Sequence, residues 1–527
     1  MSGVSDPAPA RVLEGGGCPD VTGRTRPDVP VSYPALRRDH SRLSQPRESR
    51  SAVGANGELD PLVVAGLVAR AGDPKRERWL QQVRRTGACR HPVRLRGVVL
   101  RGDEPVYSTA SEPDGALMVR CGNRREACCP SCAHEYRGDM WQLVYAGLAG
   151  GRKGVPEQVA SHPQVFASLT APSFGVVHSR PDDDRACRCG QRHDVDDPEL
   201  GAAIDPATYD YEGAVLWNWH APALWNRFMI ELVRVLAGRA GHSEREWRQR
   251  VRVAYAKVAE FQARGLVHFH AIVRVDGAKD RATAPGAAVS PEKLCEAIRE
   301  AAASARLDGD AGDGQTVDIR FGEQLHTRVL AGAEDGRELS PGQVAAYVAK
   351  YSCKSSHEQI TSRDADPDRW RDRGVPEQLV QMAAAALRLS ERAGLRELGR
   401  WVHMLGFRGH FVTKSRGYST TLGELRAARA AYRARQDQPP ENGEVSDDES
   451  TVVWSVWQYL GSGYLNPGDV LLAAGVEASL RAARDALLDL GRGASASLRV
   501  QGSSGCSEGE RRGASCDGVG LTGLDRA

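Results

Sequence analysis

Two tyrosines four residues apart are the first side chains in this sequence whose types and spacing could do chemistry. Residues 346–354 read AYVAKYSCK, with Lys350 between Tyr347 and Tyr351. The stretch 341–353 opens with PGQ and continues with helix-compatible residues, and on a helix residues i and i+4 share a face. A phenol has a pKa of about 10 and needs help to act as a nucleophile, which a nearby ammonium group and a metal-polarised phosphate can give. The same spacing is also typical of two aromatic side chains packed in a core.

Two histidines in the stretch VHFHAIVRV form a candidate metal site. His268 and His270 are two apart, so on a strand both imidazoles point to the same face, ~7 Å apart along the strand. Residues 252–277 read as a β-hairpin around the loop 263–265, and this register places Glu260 opposite His268. Two imidazoles and a carboxylate can bind one divalent cation and leave positions open for water and a phosphate oxygen. The alternative is a pair of hydrogen-bonded histidines on a half-buried strand.

Cysteines at ligand-like spacings predict bound zinc. The chain has 12 cysteines in 527 residues, too few and too unevenly spread for a disulfide scaffold. We expect one or two structural zinc ions that tie a knuckle at 121–132 to a loop at 187–193, with the four ligands of each ion left open. Reduced thiols without a metal are the alternative. The candidate ligands are Cys121, Cys129, Cys132, Cys187, Cys189 and His193.

A basic segment near the C-terminal end of the ordered chain suggests a polyanionic partner. Residues 386–435 contain 11 Lys and Arg against 3 Asp and Glu, although the net charge of the chain is only +2. Within it, FRGHFVTKSRGYS mixes basic and aromatic residues, a composition that suits single-stranded nucleic acid. We expect a strand and loop at a DNA groove that uses Arg408, Lys414 and Arg416. An ordinary solvated basic surface is the alternative.

The composition also predicts how the chain is divided. No run of 18 apolar residues and no signal-peptide pattern occurs, so we expect a cytoplasmic protein without a membrane partner. The ends are rich in Gly and Ser, which predicts disorder. The predicted parts are a disordered region at 1–55, a region with the cysteine knuckles and a first strand at 56–200, a core with the basic segment at 201–436, an acidic linker at 437–450, a small helical unit at 451–490 and a disordered tail at 491–527.

The order of these motifs resembles that of the HUH endonucleases. HFHAIVR is followed some 77 residues later by YVAKYSCK, and SLTAP at 168–172 resembles the upstream strand motif of that class. The sequence looks most like the two-tyrosine rolling-circle replication initiators. Over about 115–490 it is similar to the RepSA-like initiators of actinobacterial plasmids and integrative elements. The longer match is carried by CGNRREACCPSCAHEY, SLTAPSFG, YDYEGAVLWNWHAPALW, EFQARGLVHFHAIVR and HMLGFRGHFVTKSRGYSTT.

The resemblance implies a fold and partners. The fold would be α+β, a central antiparallel sheet of the HUH endonuclease type with flanking helices, a zinc-knuckle insertion and a small C-terminal helical unit. The partners would be single-stranded or hairpin origin DNA and, because the sequence has no Walker A motif, a host helicase and replication machinery. The setting would be the bacterial cytoplasm.

The resemblance also implies an activity. Tyr351, ranked first, or Tyr347 would attack a phosphodiester at the origin, leaving a 5′-phosphotyrosyl link and a 3′-OH primer, with Lys350 beside them. The two histidines would hold Mg²⁺ or Mn²⁺, while Glu260 as third ligand rests on the hairpin geometry. An HUH-type two-tyrosine transposase or a relaxase is one alternative, although relaxases place their tyrosine before the histidines. A zinc-ribbon DNA-binding regulator without catalysis is the other.

Overall fold

The computed structural model describes residues 58–181, 185–286, 289–330, 340–354, 360, 365–436 and 453–501. The predicted disorder of residues 1–55, the acidic linker at 437–450 and the tail beyond 501 lie outside these residues. Within the described ranges, no helix has the length and apolar character needed to cross a membrane.

Helices and strands are distributed along the whole described chain. The helices are α1 (Pro61–Ala71), α2 (Arg76–Arg85), α3 (Pro130–Ala149), α4 (Tyr211–Arg239), α5 (Glu244–Arg250), α6 (Pro291–Ser304), α7 (Pro341–Ser352), α8 (Pro367–Asp372), α9 (Glu377–Ser390), α10 (Leu422–Gln436) and α11 (Pro467–Gln501). The strands are β1 (Val93–Arg101), β2 (Glu104–Ser108), β3 (Leu117–Val119), β4 (Gln164–Leu169), β5 (Val251–Phe261), β6 (Val267–Gly277), β7 (Arg306–Gly312), β8 (Gln315–Arg320), β9 (Leu325–Val329), β10 (Val412–Lys414) and β11 (Val453–Ser462).

A five-stranded antiparallel sheet with the strand order β10-β5-β6-β4-β9 forms the centre of the fold. Strands β5 and β6 are the two arms of the predicted hairpin. Their pairing runs from Val251 opposite Gly277 to Phe261 opposite Val267, so the predicted register is correct. Every residue of β6 is buried. A strand covered on both faces reads as a nearly continuous apolar run, which explains why the polar residues of β6 stand out in the sequence.

Helices cover both faces of this sheet. On one face, α4, α6 and α9 share one apolar core with alternate residues of β6, including Phe269 and Val273. On the other face, α3 and α7 pack against Phe166 of β4 and Ile272 of β6. The prediction of an α+β fold with an antiparallel sheet and flanking helices is confirmed.

A buried ion pair ties β6 to segments on either side of it. Arg274, which has no exposed surface, donates two hydrogen bonds to Asp276 over 2.7 and 2.9 Å. His162 Nδ1 lies 2.8 Å from the same carboxylate. The guanidinium group also donates to the carbonyl oxygens of Gly147, near the end of α3, and Tyr418, after β10. A buried charge needs this degree of pairing to be tolerated, so the network fixes the position of all these segments.

The two ends of the described chain pair with each other in a second, four-stranded sheet. β11 lies antiparallel to β1, from Val453 opposite Arg101 to Ser462 opposite Val93. The prediction of a helical unit over 451–490 is therefore wrong for its first part. Its aromatic and β-branched residues favour a strand once a partner strand is present, and that partner lies far upstream in the sequence.

A buried ion pair joins α1 and α11, the helices that precede and follow the strands of this second sheet. Arg70 of α1 and Asp469 of α11 are 2.9 Å apart, with side chains that are 5% and 1% exposed. The second helix of the pair, α11, continues to Gln501, past the predicted start of the tail at 491. This ion pair thus links the first and last of the described helices.

Lys257 of β5 is buried between the central sheet and α4. The Lys257 ammonium group is 4.1 Å from the centre of the Phe269 ring and 4.9 Å from that of Trp225. Burial lowers the pKa of Lys257 to about 7. Aromatic faces attract a cation but do not replace the lost water fully, so the neutral amine is favoured in the folded protein.

Replacing this lysine changes how stability depends on pH. Between pH 7 and about pH 10 the unfolded chain binds the Lys257 proton and the folded chain does not, so wild-type stability rises with pH, by about 1.4 kcal/mol per pH unit at most. Lys257→Met lacks this contribution. Thermal unfolding midpoints measured from pH 6.5 to pH 10 should therefore rise for the wild type relative to the variant. The exposed Lys279→Met is the control and should follow the wild type, and parallel pH profiles for wild type and Lys257→Met would show that the lysine keeps an ordinary pKa.

Candidate active site and metal clusters

His270 lies at the point where three elements meet. Its Nδ1 atom is 2.9 Å from the Ser168 hydroxyl of β4. Its Nε2 atom is 3.1 Å from a carboxylate oxygen of Glu260 on β5 and 3.1 Å from the Tyr347 hydroxyl on α7. The imidazole is 1% exposed, so these contacts are made away from bulk water. A histidine, a carboxylate and a phenol thus converge on one small volume.

His268 is held in a similar way one step along the strand. Its Nδ1 atom is 2.9 Å from the Thr170 hydroxyl, and the two imidazole centres are 4.4 Å apart. Burial, with the charge of His270 as a smaller contribution, holds the pKa of His268 well below its usual range. The neutral imidazole is the form that binds a metal ion. Hydroxyls engage both Nδ1 atoms, whereas His270 Nε2 contacts Glu260 and Tyr347.

Ser168 and Thr170 are functional candidates that the sequence interpretation did not single out. Ser168 pairs with His270 across β4 and β6. Thr170 is two residues further on, and alternate residues of an extended segment share a face. The signal was present in SLTAP, whose two hydroxyl residues have the same two-residue spacing as the histidines. It could be interpreted only once β4 was known to lie beside β6.

Glu260 occupies its predicted register but makes a different contact from the one expected. It lies opposite His268, yet its carboxylate contacts His270 instead. Diagonal neighbours across a sheet remain within reach of a long side chain. The other carboxylate oxygen is 3.3 Å from the Lys354 ammonium group. Among the described residues, these two histidines and Glu260 do not form a group whose donor atoms all lie within 4.8 Å of one another.

The tyrosine helix forms as predicted and faces the histidines. Helix α7 begins with a capping box between Ser340 and Gln343. Tyr347 and Tyr351 have ring centres 4.6 Å apart and are 5% and 1% exposed. Both aromatics are therefore core residues of the cluster between α3, α7 and the sheet, and one of them is also bonded to His270. Tyr347 is therefore a core residue that also contacts the predicted metal-binding His270.

Two lysines lie near the second tyrosine. The predicted Lys350 is exposed, and its ammonium group is 5.2 Å from the centre of the Tyr351 ring. Lys354, which the sequence interpretation missed, is closer at 4.2 Å and also contacts Glu260. The positive charge expected beside the phenols is thus supplied from both ends of the last turn of α7.

Four cysteines form a compact cluster at the start of α3. The Sγ atoms of Cys121 and Cys132 are 3.7 Å apart, and Cys89 Sγ is 3.8 Å from Cys129 Sγ and 3.6 Å from Cys132 Sγ. A tetrahedral zinc site with Zn–S bonds of 2.3 Å has sulfur atoms about 3.8 Å apart. This cluster can therefore hold a zinc ion. Sequence spacing missed Cys89, which is 32 residues before Cys121.

The remaining predicted zinc ligands belong to a different group. Cys187, Cys189 and His193 converge with His178, and none of them joins the four-cysteine cluster. The expectation that one or two zinc ions tie the 121–132 knuckle to the 187–193 loop is therefore wrong, because the two segments contribute to separate groups. Each group finds its missing ligand in a neighbouring segment of chain, Cys89 in one case and His178 in the other, so neither needs the other's cysteines.

The cysteine knuckle contacts the end of the tyrosine helix. Arg124 donates hydrogen bonds to the carbonyl oxygens of Ser352 and Lys354 over 3.0 and 2.8 Å. Its guanidinium group also lies 3.7 Å from the centre of the Phe411 ring, next to β10. The carbonyl groups at the end of a helix have no partners within the helix, and this arginine satisfies one of them at the C-terminus of α7. The knuckle thereby helps to fix the tyrosine helix against the sheet.

The three predicted DNA-binding residues differ in their surroundings. Arg408 is exposed, with its guanidinium group 4.1 Å from the centre of the Trp219 ring. Arg416 is also exposed. The Lys414 ammonium group donates to the carbonyl oxygens of Ser415 and Ser419 in its own loop, and burial lowers its pKa. The two arginines are thus available at the surface, whereas Lys414 stabilises the turn after β10.

Zinc at the four-cysteine cluster can be tested with two neighbouring cysteines. Cys89→Ser removes one of the four ligands, and purified protein should lose one equivalent of zinc, measured by elemental analysis. Cys128→Ser is the matched control, because Cys128 lies next to Cys129 but outside the cluster. Full zinc content in Cys89→Ser would show that this cluster does not bind the metal.

Comparisons with known proteins agree with the motif order found in the sequence. Residues 75–478 match the family model described as "Replication initiator protein, pSAM2". A replication initiator protein from Streptomyces ambofaciens is 45% identical over 439 residues, which cover 81% of this chain and 95% of that protein. No solved structure matches. With both matches spanning most of its length, the chain belongs to the RepSA family of replication initiator proteins.

Proposed function

We propose that this replication initiator nicks and rejoins single-stranded DNA at an origin of rolling-circle replication, with a tyrosine of α7 as nucleophile. The observation that carries the proposal is the hydrogen bond between the Tyr347 hydroxyl and His270 Nε2, 3.1 Å long. It joins the YxxKY helix to the HxH strand, the two motifs whose order resembles that of the HUH endonucleases. A buried phenol usually finds some hydrogen-bond partner, and here that partner is the predicted metal-binding histidine. A nucleophile must lie beside the group that activates its substrate, and this contact places Tyr347 there.

The polar residues around His270 fit a divalent cation in their chemistry. His268 and His270 would hold Mg²⁺ or Mn²⁺ through their Nε2 atoms, and Glu260 would be the third ligand. At His270 the cation would take the place of the Nε2 contacts with Glu260 and Tyr347. The Nδ1 atoms of both histidines lie 2.9 Å from hydroxyl groups, which can accept a hydrogen bond from Nδ1–H and so support the tautomer that binds a metal ion through Nε2. When bound, such a cation polarises a phosphodiester phosphate and stabilises the charge that develops on it.

The tyrosine would exchange one phosphate ester for another. A bond forms between the phenolic oxygen and phosphorus, and the bond from phosphorus to the 3′ oxygen breaks. The phenol loses its proton and the departing 3′ oxygen gains one. The products are a 5′-phosphotyrosyl link and a 3′-OH that primes synthesis, and the second tyrosine would repeat the exchange to release a circle.

The positive charges around α7 would support this exchange. Lys350 and Lys354 both lie close to the Tyr351 ring. Ammonium groups near a phenol favour the ionised, nucleophilic form. Because Tyr347 and Tyr351 are 5% and 1% exposed, a DNA strand that reaches them must displace side chains that cover them. The resemblance ranks Tyr351 first, while Tyr347 has the defined hydrogen bond to His270.

DNA would reach the site along the edge of the sheet formed by β10. This strand pairs with β5, which carries Glu260, and the loops before and after it carry the exposed Arg408 and Arg416. Guanidinium groups can contact phosphates and stack on bases. Lys414 would contribute through the fold of its loop. A host helicase would separate the strands ahead of the nick.

Two other functions share parts of this chemistry. An HUH-type transposase or relaxase would form the same covalent link, and membership of the replication initiator family favours initiation over both. A zinc-dependent DNA-binding regulator would use the cysteine cluster and the basic surface but leave the tyrosines as core residues. Cleavage separates this last function from the others.

The tyrosines can be tested by trapping the covalent product. Wild-type protein, single-stranded DNA spanning the candidate origin of its own element and Mn²⁺ should give a protein–DNA band that survives denaturing electrophoresis. The double variant Tyr347→Phe/Tyr351→Phe should give none, and each single variant shows which phenol attacks first. Tyr145→Phe is the control, because Tyr145 is packed against the same cluster and should leave adduct formation unchanged.

One result would refute the proposal. If wild-type protein binds every origin strand but forms no adduct with any, the regulator is the better description, because the tyrosines then act only in packing. An adduct that persists in the double variant would instead place the nucleophile elsewhere.

The hydroxyls of Ser168 and Thr170, which contact the two histidines, should affect how tightly the site binds Mn²⁺. Ser168→Ala and Thr170→Val remove the groups that engage the two Nδ1 atoms, and loss of such partners typically weakens metal binding by about 10- to 100-fold. Titration of Mn²⁺ by calorimetry or by its spin-resonance signal measures this directly. The exposed Ser173→Ala should bind Mn²⁺ as the wild type does. Unchanged affinity in both hydroxyl variants would mean that the cation is held elsewhere.

A further inference from the structure

The loop between β4 and α4 contains a second group of side chains that can bind a metal ion, separate from the four cysteines. His178, Cys187, Cys189 and His193 each place one donor atom so that all four lie within 4.8 Å of one another. His178 Nδ1 is 3.1 Å from His193 Nε2, and Cys189 Sγ is 3.3 Å from the same nitrogen. Two nitrogens and two sulfurs directed at one point are the donor set of a tetrahedral zinc site.

Local backbone structure directs these donors towards one another. The segment CRCGQRH folds back on itself, with Cys187 N donating to the Gln191 carbonyl and Gly190 N donating to the Cys187 carbonyl. Gly190 has a φ of 90°, which only glycine adopts without strain. Backbone N–H groups also point at both sulfurs, from Ser179 to Cys187 over 3.4 Å and from Gln191 to Cys189 over 3.5 Å. Such donors stabilise thiolates, the form that binds zinc.

A carboxylate behind His193 completes the arrangement. His193 Nδ1 is 2.8 Å from Asp197, so its Nε2 atom faces the other three donors. Histidine ligands of zinc commonly make this bond through the second ring nitrogen. Asp197 therefore orients the imidazole and is not itself a ligand. His178 reaches the group from a separate segment, held by its backbone hydrogen bonds with Ala202 and Gly201.

Burial in this loop is concentrated on the ligands. Across residues 178–181 and 185–200, the buried residues are Cys187 and His193. Val195, the large aliphatic side chain in the middle of the loop, is 67% exposed. A segment that buries so little apolar surface lacks the usual source of folding free energy, and a bound metal can supply it.

We propose that His178, Cys187, Cys189 and His193 bind a second structural zinc ion, which folds this loop against the turn of the β5–β6 hairpin. Gly201 lies so close to Ala263 that a Cβ atom there would be 2.5 Å from the Ala263 carbonyl carbon. Gln378 of α9 joins the two segments, accepting from Ala203 N over 3.2 Å and donating to the Arg264 carbonyl over 3.3 Å. The hairpin that carries the two histidines of the candidate active site is thereby supported at its turn.

Zinc analysis of the full-length protein tests the proposal. Wild type should contain two equivalents, His178→Ala one, and His178→Ala combined with Cys89→Ser none. Substituting Co²⁺ for zinc should give an absorption spectrum with contributions from a four-sulfur and a two-sulfur, two-nitrogen site, and His178→Ala should abolish only the second. His178→Cys keeps a zinc ligand and should restore two equivalents, which guards against a variant that simply fails to fold. Asp196→Asn, an exposed position in the same loop, should retain both ions.

Proteolysis gives a readout that does not depend on metal analysis. The loop contains Arg180, Arg185, Arg188 and Arg192, which trypsin can cut once the loop unfolds. Cleavage there should be at least tenfold faster in His178→Ala than in wild type, and His178→Cys should return it to the wild-type rate. A wild-type protein with one zinc, which His178→Ala retains and Cys89→Ser loses, together with unchanged cleavage of the loop, would overturn the proposal.

Discussion

The register of the β5–β6 hairpin is the constraint on which the rest of the structure depends. It places His268 and His270 on the face of the sheet covered by α7 and sends the intervening Phe269 into the opposite core. A shift of one residue would exchange these faces and bury both imidazoles among the side chains of α4. The turn at 263–265 and the apolar alternation on both arms exclude that shift. Every contact of His270 with β4, β5 and α7 follows from this pairing.

Support for the site comes from outside the sheet. Arg124, in the knuckle that Cys121 and Cys129 bracket, holds the C-terminal end of the tyrosine helix. On the other side, the loop with the second Cys/His group lies against the hairpin turn through Gly201. The tyrosine helix and the histidine hairpin are thus each supported by a separate segment, and each of these segments contributes to a cluster of side chains that can bind a metal ion. Reacting groups hold their geometry best when the residues behind them are rigid, and small ligand clusters provide rigidity where little apolar surface is buried.

Short-range patterns predicted much of this arrangement correctly. The alternation on both sides of residues 263–265 gave the hairpin and the position of Glu260, and PGQ followed by helix-forming residues gave α7. Both patterns are complete within about 25 residues, and local geometry fixes them. The strand β11 was missed for the opposite reason. Its partner β1 lies more than 350 residues upstream, and the pairing that makes WSVWQYL a strand cannot be read from that stretch alone.

The sequence by itself determined which side chains were available for chemistry and how the nearest of them are spaced: two histidines on one face of a strand, two phenols on one face of a helix, and thiols in close pairs. Only the tertiary structure decided which of these groups meet. It brought Tyr347 to His270, set Ser168 and Thr170 behind the imidazoles, and assigned Cys89 and His178 to two different clusters. Local spacing is fixed by the repeat of the helix or strand, whereas contacts between distant segments depend on how the whole sheet and its covering helices pack, and single-sequence patterns do not encode that packing.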